Sequence, residues 1–185
     1  MQLPPPSPFD PSLKHALCKN PDDHDSPLAL PPISEATIDD ALKILALQRH
    51  AYLCGAELSH DFQIPPLTET LEDIHREFER QVFFKAVVDS RIIASARAMP
   101  EDGTCYISRV IVHPDLQNRG LGAQLMNRVE ARFPDAARFE LFTSEKNERN
   151  LRFYTKLGYR EFKRVPRETD QTELVYMEKC RNVHE

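Results

Sequence analysis

The sequence lacks the features that mark several large classes of protein. No apolar run reaches the roughly 18 residues that a membrane-spanning helix needs, and the first residues do not resemble a signal peptide. The four cysteines are far apart, without the cysteine or histidine spacing of a zinc site. Basic residues form no stripe, and the formal net charge is -5. We therefore expect a soluble, cytoplasmic protein that binds no metal, no nucleic acid and no membrane.

Proline is unevenly distributed along the chain. Residues 1–33 hold nine of the fifteen prolines and show no sustained apolar periodicity. Such a segment buries too little apolar surface to offset the entropy lost when it is ordered. We expect residues 1–33 to be an extended or disordered leader and residues 34–185 to form one domain.

Beyond the leader, apolar periodicity predicts two helices, three antiparallel strands, a helix, a strand, a helix and two strands. The first helix should run from Thr37 to about Gly55, and the second should be capped by Thr68 or Thr70. The first helix should turn five apolar side chains inward: Ile38, Leu42, Leu45, Tyr52 and Leu53. The strands are predicted over residues 81–88, 91–99, 105–112, 138–143, 159–165 and 172–179.

One stretch joins a buried strand to a helix through two glycines. The apolar run Val110–Val112 is stopped by Pro114, and Gly120 and Gly122 precede apolar residues at helical spacing. Main-chain N–H groups at the start of a helix lack intrahelical partners and lie at the positive end of its dipole, so they bind anions. No Lys-Ser/Thr pair and no third glycine follows, which excludes a Walker loop and a dinucleotide fingerprint. An empty strand-to-helix turn remains the alternative.

Two motifs carry a resemblance to a known family. Gln117-Asn118-Arg119-Gly120-Leu121-Gly122 resembles the Gln/Arg-x-x-Gly-x-Gly/Ala pyrophosphate loop of the GNAT superfamily of acetyl-CoA-dependent N-acetyltransferases. Asn147-x-x-Asn150-x-x-Phe153-Tyr154-x-x-Leu157-Gly158-Tyr159 is similar to a second signature of that family, with Asn150 replacing a small residue and Tyr159 replacing phenylalanine. The predicted order of elements also matches over roughly residues 36–180. Residues 45–71 further resemble a bacterial subgroup of this superfamily. That likeness does not narrow the choice of acceptor substrate.

The resemblance implies a fold and an activity. The fold would be α/β (α+β), with a mixed twisted sheet of about six to seven strands, a central parallel pair that splays apart, and about four helices. The activity would be transfer of an acetyl group from acetyl-CoA, the co-substrate, to a primary amine of a small molecule or peptide by direct attack in a ternary complex. A non-catalytic acetyl-CoA-binding sensor or interaction module, and a transferase that uses another acyl-CoA, remain alternatives. A homodimer is left open.

The resemblance also assigns cofactor-binding residues. The main chain of the strand before the loop would pair with the pantetheine arm, the loop amides would bind the pyrophosphate with help from the Gln117 and Arg119 side chains, and Asn147 would contact the cofactor arm or simply cap its helix. The full set is Val110, Ile111, Val112, Gln117, Asn118, Arg119, Gly120, Leu121, Gly122, Ala123, Asn147 and Tyr154.

Catalytic residues are less completely assigned. Tyr154 would protonate or hydrogen-bond the departing thiolate, although it could also pack in the core. The strand position at which some family members carry a glutamate base is Tyr106 in this sequence. Glu57 is the first candidate base. The others are a water relay or one of Asp61, Glu140, His60 and His113.

Overall fold

Seven strands form a single mixed sheet in a computed structural model of the protein, which describes residues 30–59, 62–167 and 172–181. Their order across the sheet is β1-β2-β3-β4-β5-β7-β6. Among the described strands, β4 and β5 are the parallel neighbours, and the other adjacent strands are antiparallel. The strands are β1 Ile33–Glu35, β2 Val82–Val88, β3 Arg91–Glu101, β4 Thr104–Val112, β5 Arg138–Ser144, β6 Arg160–Pro166 and β7 Glu173–Cys180.

Five helices lie against this sheet or connect its strands. They are α1 Ala41–Ser59, α2 Pro65–Thr68, α3 Leu71–Phe78, α4 Leu121–Arg132 and α5 Glu148–Lys156, with short 3-10 turns at Ile38–Asp40 and Pro114–Leu116. The predicted mixed sheet with a central parallel pair is confirmed.

Local signals placed most element ends correctly. Thr70 caps α3, since its hydroxyl accepts a hydrogen bond from the Asp73 N–H at 3.2 Å. Asp89 and Ser90 both have positive φ between β2 and β3, which is the backbone of a tight hairpin turn. Gly158 ends α5 with a φ of 91°.

The predicted boundary between leader and domain falls inside β1. Ile33 pairs with Ala86 of β2, and Leu30 packs against the core, so the folded unit includes residues that we assigned to the leader. A strand of three residues is too short for alternation to reveal it. Residues 1–29 of the predicted leader lie outside the described residues.

The inward face predicted for the first helix is only partly confirmed, because Leu45 is buried and Tyr52 packs against the core but the other three residues do not face inward. Ile38, Leu42 and Leu53 are 52%, 64% and 41% exposed. The helix is also longer than predicted, because it continues past Gly55 to Ser59. The buried stripe of the helix consists of Ala41, Ile44, Leu45, Leu47 and Gln48. Because Gln48 is polar, a search for periodic apolar residues does not include it in the stripe.

Two hydrophobic clusters cover the two faces of the sheet. Helix α4 contributes Leu121, Leu125, Met126 and Val129 to one cluster. Helices α1 and α3 form the other cluster on the opposite face. Because β3 lies between both clusters, its residues 92–98 are all buried, and they include the charged residue Arg97.

Candidate active site

The parallel strands β4 and β5 pair along only part of their length. Their register covers three positions, which end at Tyr106 opposite Glu140. Beyond them, β4 continues to Val112 along β3, and β5 continues to Ser144 along β7. The two strands therefore diverge, and a wedge lined by main-chain groups opens between them, as the resemblance implied.

A β-bulge lies in β4 where the wedge opens. Ser95 pairs with Ile111, whereas Arg97 pairs with Ser108, so β4 contains one residue more than β3 over this interval. The φ angle of Arg109 is 50°, in the left-handed region. A bulge of this kind bends its strand and increases its twist, which carries β4 away from β5.

The bulge also shifts the alternation of β4 side chains, so that residues an even number of positions apart on either side of it face opposite sides of the sheet. Ile107, before it, belongs to the cluster beneath α4, whereas Ile111, after it, belongs to the cluster beneath α1 and α3. Val110 and Val112 then pack partly against the α4 cluster. The bulge residue Arg109 projects to the α1 side, where it meets Glu69.

The glycine loop follows directly at the end of β4. Asn118 and Gly120 have positive φ, and Gly120 is the N-cap of α4. The Gln124 N–H donates to the Gly120 carbonyl at 3.0 Å and thereby starts the intrahelical hydrogen bonds. The preceding N–H groups, of residues 121–123, have no acceptor within the helix. The loop therefore offers main-chain donors and the positive end of a helix dipole beside the wedge.

The two loop glycines are required for different reasons. Gly120 has a φ of 88°, a backbone conformation that costs a side-chain-bearing residue about 1–2 kcal/mol. Gly122 has ordinary helical geometry, but a Cβ there would lie 3.1 Å from Cζ of Phe153. The second glycine therefore lets α5 pack closely on α4.

An arginine that the sequence motifs did not reveal braces this loop. Arg149, in the first turn of α5, donates to Oε1 of Gln117 at 2.5 Å and to Oδ1 of Asn118 at 3.2 Å. Gln117 in turn donates to the Val112 carbonyl at 3.1 Å. The Gln117 side chain is thus engaged within the protein, and Arg149 brings a positive charge to the loop. The half-buried side chain of Arg119 remains a predicted pyrophosphate contact.

Helix α5 positions Asn147 and Tyr154, the two remaining residues that we predicted to contact the cofactor. Oδ1 of Asn147 accepts from the Asn150 N–H at 3.0 Å, so Asn147 caps the helix. Tyr154 is buried, with its ring centroid 5.1 Å from that of Phe153 and 6.1 Å from that of Tyr159. Burial, together with the nearby Tyr52, raises the pKa of Tyr154. The phenol therefore stays protonated and can act as a hydrogen-bond donor.

The candidate bases fall in different places. Glu140 is paired with Arg138 at 2.6 Å beside Tyr106, and the His113 ring lies 4.9 Å from that of His50. The Glu57 side chain and both His60 and Asp61 lie outside the described residues.

A buried ionic cluster that we did not predict lies beside the wedge. Arg97 donates to both carboxylate oxygens of Glu69 at 2.9 Å and to Oε1 of Gln48 at 2.7 Å. Gln48 donates to Oε2 of Glu69 at 2.6 Å and to the Pro66 carbonyl at 2.9 Å. Burial alone would raise the pKa of Glu69, but the hydrogen bonds from Arg97 and Gln48 and the nearby guanidinium charges outweigh it and lower that pKa. The signal available in the sequence was an arginine in a buried strand segment whose other residues, apart from Ser95, are apolar.

No described helix is long and apolar enough to cross a membrane. Among the same residues, no three histidine, cysteine, aspartate or glutamate side chains are grouped so that they could hold a metal ion.

Comparison with known proteins places this arrangement in a family. Residues 44–159 match the Acetyltransferase (GNAT) family. UPF0157 protein YqkA of Bacillus subtilis (strain 168) is 31% identical over 131 residues, which cover 71% of this chain but 37% of that protein. The chain therefore spans little more than a third of that relative's length.

Solved structures give the same result for the fold. PaiA N-acetyltransferase from Thermoplasma acidophilum, in complex with coenzyme A, matches with a TM-score of 0.66 at 16% identity, over 81% of this chain and 98% of that one. The ribosomal-protein-S18-alanine N-acetyltransferase of Escherichia coli matches with a TM-score of 0.63 at 18% identity, over 83% and 99% of the two chains. These structures show the fold. The family match spans more than half of the chain, and the protein therefore belongs to the Acetyltransferase (GNAT) family.

Proposed function

We propose that the protein transfers the acetyl group of acetyl-CoA to a primary amine of a small molecule or peptide, by direct attack in a ternary complex. The observation that carries this proposal is the meeting of two features at one strand end. The wedge between β4 and β5 opens where the glycine loop presents the N-terminus of α4. An extended amide-containing arm that ends in a diphosphate fits these two features together.

The donor would be held mainly by main-chain groups. The pantetheine amides would pair with the backbone of Val110–Val112, along the edge that β4 turns toward the wedge. The diphosphate would accept hydrogen bonds from the amides of residues 118–123, and the Arg149 guanidinium would add a favourable charge. The structure of PaiA N-acetyltransferase in complex with coenzyme A supports coenzyme A binding by this fold.

The chemistry requires a neutral amine. An alkylammonium with a pKa of about 10.4 is deprotonated in only about one part in a thousand at pH 7, which corresponds to roughly 4 kcal/mol. The amine nitrogen forms a bond to the acetyl carbonyl carbon, the carbon–sulfur bond breaks, and the amine proton passes to a base. We keep Glu57 and a water relay as the candidate bases.

Tyr154 would stabilise the departing thiolate by hydrogen bonding. The thiol of coenzyme A is an alkyl thiol, for which a pKa of about 8.5 is typical. Because burial raises the pKa of Tyr154, complete proton transfer from its phenol to the thiolate is uphill. A buried phenolic O–H can still donate a strong hydrogen bond to the developing negative charge.

Thiol release in the presence of acetyl-CoA and a panel of amines tests this proposal. The panel would contain polyamines, free amino acids and short peptides with free N-termini. We expect Tyr154→Phe to lower kcat by about 10- to 100-fold while leaving acetyl-CoA affinity unchanged. The matched control is Tyr159→Phe, which also removes a buried phenol, but one whose hydroxyl already donates to Glu130 at 3.0 Å. Equal turnover by Tyr154→Phe and the native protein would remove Tyr154 from the mechanism.

A second candidate function follows from Tyr106, which occupies the position of a glutamate base in some family members. A protein that binds acetyl-CoA but releases no thiol with any amine would be an acetyl-CoA sensor. Thiol release only from a longer acyl-CoA would identify a different acyl donor.

A further inference from the structure

Among the described residues, the buried cluster beside the wedge has one positive charge in excess. Arg97 and Glu69 balance each other through their paired hydrogen bonds, and both sides of that pair are largely buried. Arg109 lies next to them, but its Nε is 3.8 Å from Oε2 of Glu69, beyond hydrogen-bond distance. Within the described residues, no other carboxylate forms an ion pair with either guanidinium.

Arg109 has unused hydrogen-bonding capacity. Its Nε is buried without a hydrogen-bond partner among the described residues, and Nε of the buried Arg97 is in the same condition. A desolvated charge without partners is unfavourable, so a buried donor of this kind calls for a partner, either ordered water or a bound ligand. The guanidinium edge of Arg109 can donate two parallel bonds to one planar anion.

The backbone at Arg109 is held in a conformation that arginine disfavours. Its φ of 50° places it in the left-handed region, at the bulge that separates β4 from β5. Left-handed residues other than glycine cost about 1–2 kcal/mol and cluster at functional sites. The bulge aims this side chain toward Glu69, while the next residue, Val110, packs partly against the α4 cluster.

The cluster also lies beside the reacting end of the wedge. Arg109 lies on β4 only three residues beyond Tyr106, the last β4 position that pairs with β5, and Tyr52 of α1 packs against the cluster that contains Ile111 of β4. Tyr154 is the residue that we place against the thioester sulfur. An acceptor that reaches the thioester from the α1 side would therefore pass Arg109.

We propose that Arg109 binds a carboxylate of the acceptor, so that the acetylated molecule is an amine that also carries a carboxylate, such as an amino acid. This inference rests on the proposed acetyl transfer. One excess guanidinium matches one singly charged, planar carboxylate, whereas a phosphate monoester carries a charge of about −1.5 to −2 at pH 7. Glu69 already accepts hydrogen bonds from Arg97 and Gln48. Its carboxylate is therefore not available to bind an additional ammonium group on the acceptor.

The test compares free amino acids with their C-terminal amides, which keep the amine and replace the carboxylate by a neutral group. Thiol release from acetyl-CoA gives kcat/KM for each pair, and saturation-transfer NMR on the coenzyme A complex measures acceptor binding without turnover. The main variant is Arg109→Asn, since asparagine tolerates left-handed backbone and lacks the guanidinium. Arg109→Lys keeps the charge without the paired donors. Arg128→Gln, on the exposed surface of α4, is the matched control.

We expect the native protein and Arg128→Gln to prefer acids over amides by about 100-fold or more in kcat/KM. In Arg109→Asn the preference should fall to within about threefold, mainly through KM, with unchanged acetyl-CoA affinity, and Arg109→Lys should be intermediate. Equal use of amides by the native protein, a preference that survives in Arg109→Asn, or a preference for phosphoethanolamine over every amino acid would each overturn the inference.

Failure of the proposed function would look different from failure of this inference. Without acetyl transfer, no amine in either form would release thiol. The NMR comparison then decides the inference alone: binding of acids but not amides, lost in Arg109→Asn, supports it, and equal binding of both forms overturns it.

Discussion

The strongest single test of the glycine loop is Gly120→Ala, with Gly103→Ala as its control. Both glycines have positive φ, 88° and 77°. A Cβ at Gly103 would meet nothing within 4 Å, and a Cβ at Gly120 would meet only Cδ1 of Leu30 at 3.3 Å, a side-chain end that can move. The two substitutions therefore impose the same backbone penalty, but only one imposes it beside the proposed diphosphate.

The magnitudes follow from this geometry. Left-handed backbone costs alanine about 1–2 kcal/mol, and stiffening of the unfolded chain returns about 0.4–1 kcal/mol. Each variant should therefore lose about 1 kcal/mol of unfolding free energy in urea titrations. Hydrogen bonds to a charged group contribute about 1.5–3 kcal/mol each, so displacing even one loop amide should weaken acetyl-CoA binding about tenfold or more.

Isothermal titration calorimetry with acetyl-CoA separates the two effects. Gly120→Ala should show the loss of affinity, and Gly103→Ala should bind like the native protein. If both variants were equally destabilised and both bound acetyl-CoA with native affinity, the loop amides would not hold the diphosphate, and the proposed donor site would be wrong.

Three further predictions concern the ionic cluster, the loop brace and the thiols. Glu69→Gln leaves a buried guanidinium uncompensated and should lower the unfolding free energy by about 3 kcal/mol near pH 7. The pKa of Glu69 is lower in the folded state than its ordinary value of 4.5. The stabilisation that its ionised form provides is therefore complete above about pH 4.5 and is lost as the pH falls through the folded-state pKa. Urea titrations should accordingly give the native protein and the variant similar unfolding free energies in acid. Arg149→Gln should weaken acetyl-CoA binding about 3- to 10-fold by calorimetry, more at low salt, whereas Arg152→Gln, which pairs with Glu148 on the same helix, should not. Burial and the charge of Glu130 raise the pKa of Cys105 to about 12, so iodoacetamide followed by peptide mass mapping should modify exposed Cys180 in the native protein and Cys105 only after unfolding. Rapid native-state labelling of Cys105 would contradict its burial.

The features that sequence patterns predicted are those set by neighbouring residues. The glycine loop, the cap at Asn147 and the left-handed stop at Gly158 each depend on a few consecutive positions, and each is found where it was expected. The inward face of the first helix was misassigned because Gln48, a polar residue, lies at its centre.

The ionic cluster could not be predicted in this way, because its members are distant in sequence. Gln48 lies on α1, Glu69 before α3, and Arg97 on β3, and the fold alone brings them together. The bulge at Arg109 was equally hidden, since an extra residue in a β-branched run does not disturb its composition.

The incomplete pairing of β4 with β5 also bears on how the sheet presents its unpaired strand edges. Unsatisfied strand edges generally invite foreign strands and lead to aggregation. The stretches of β4 and β5 beyond their shared register face each other at an angle, because the bulge at Arg109 turns one of them away from the other. A regular β-ribbon from another protein cannot match both of these strands at once. These two inner edges, unlike the outer edges at β1 and β6, are therefore poor templates for strand addition.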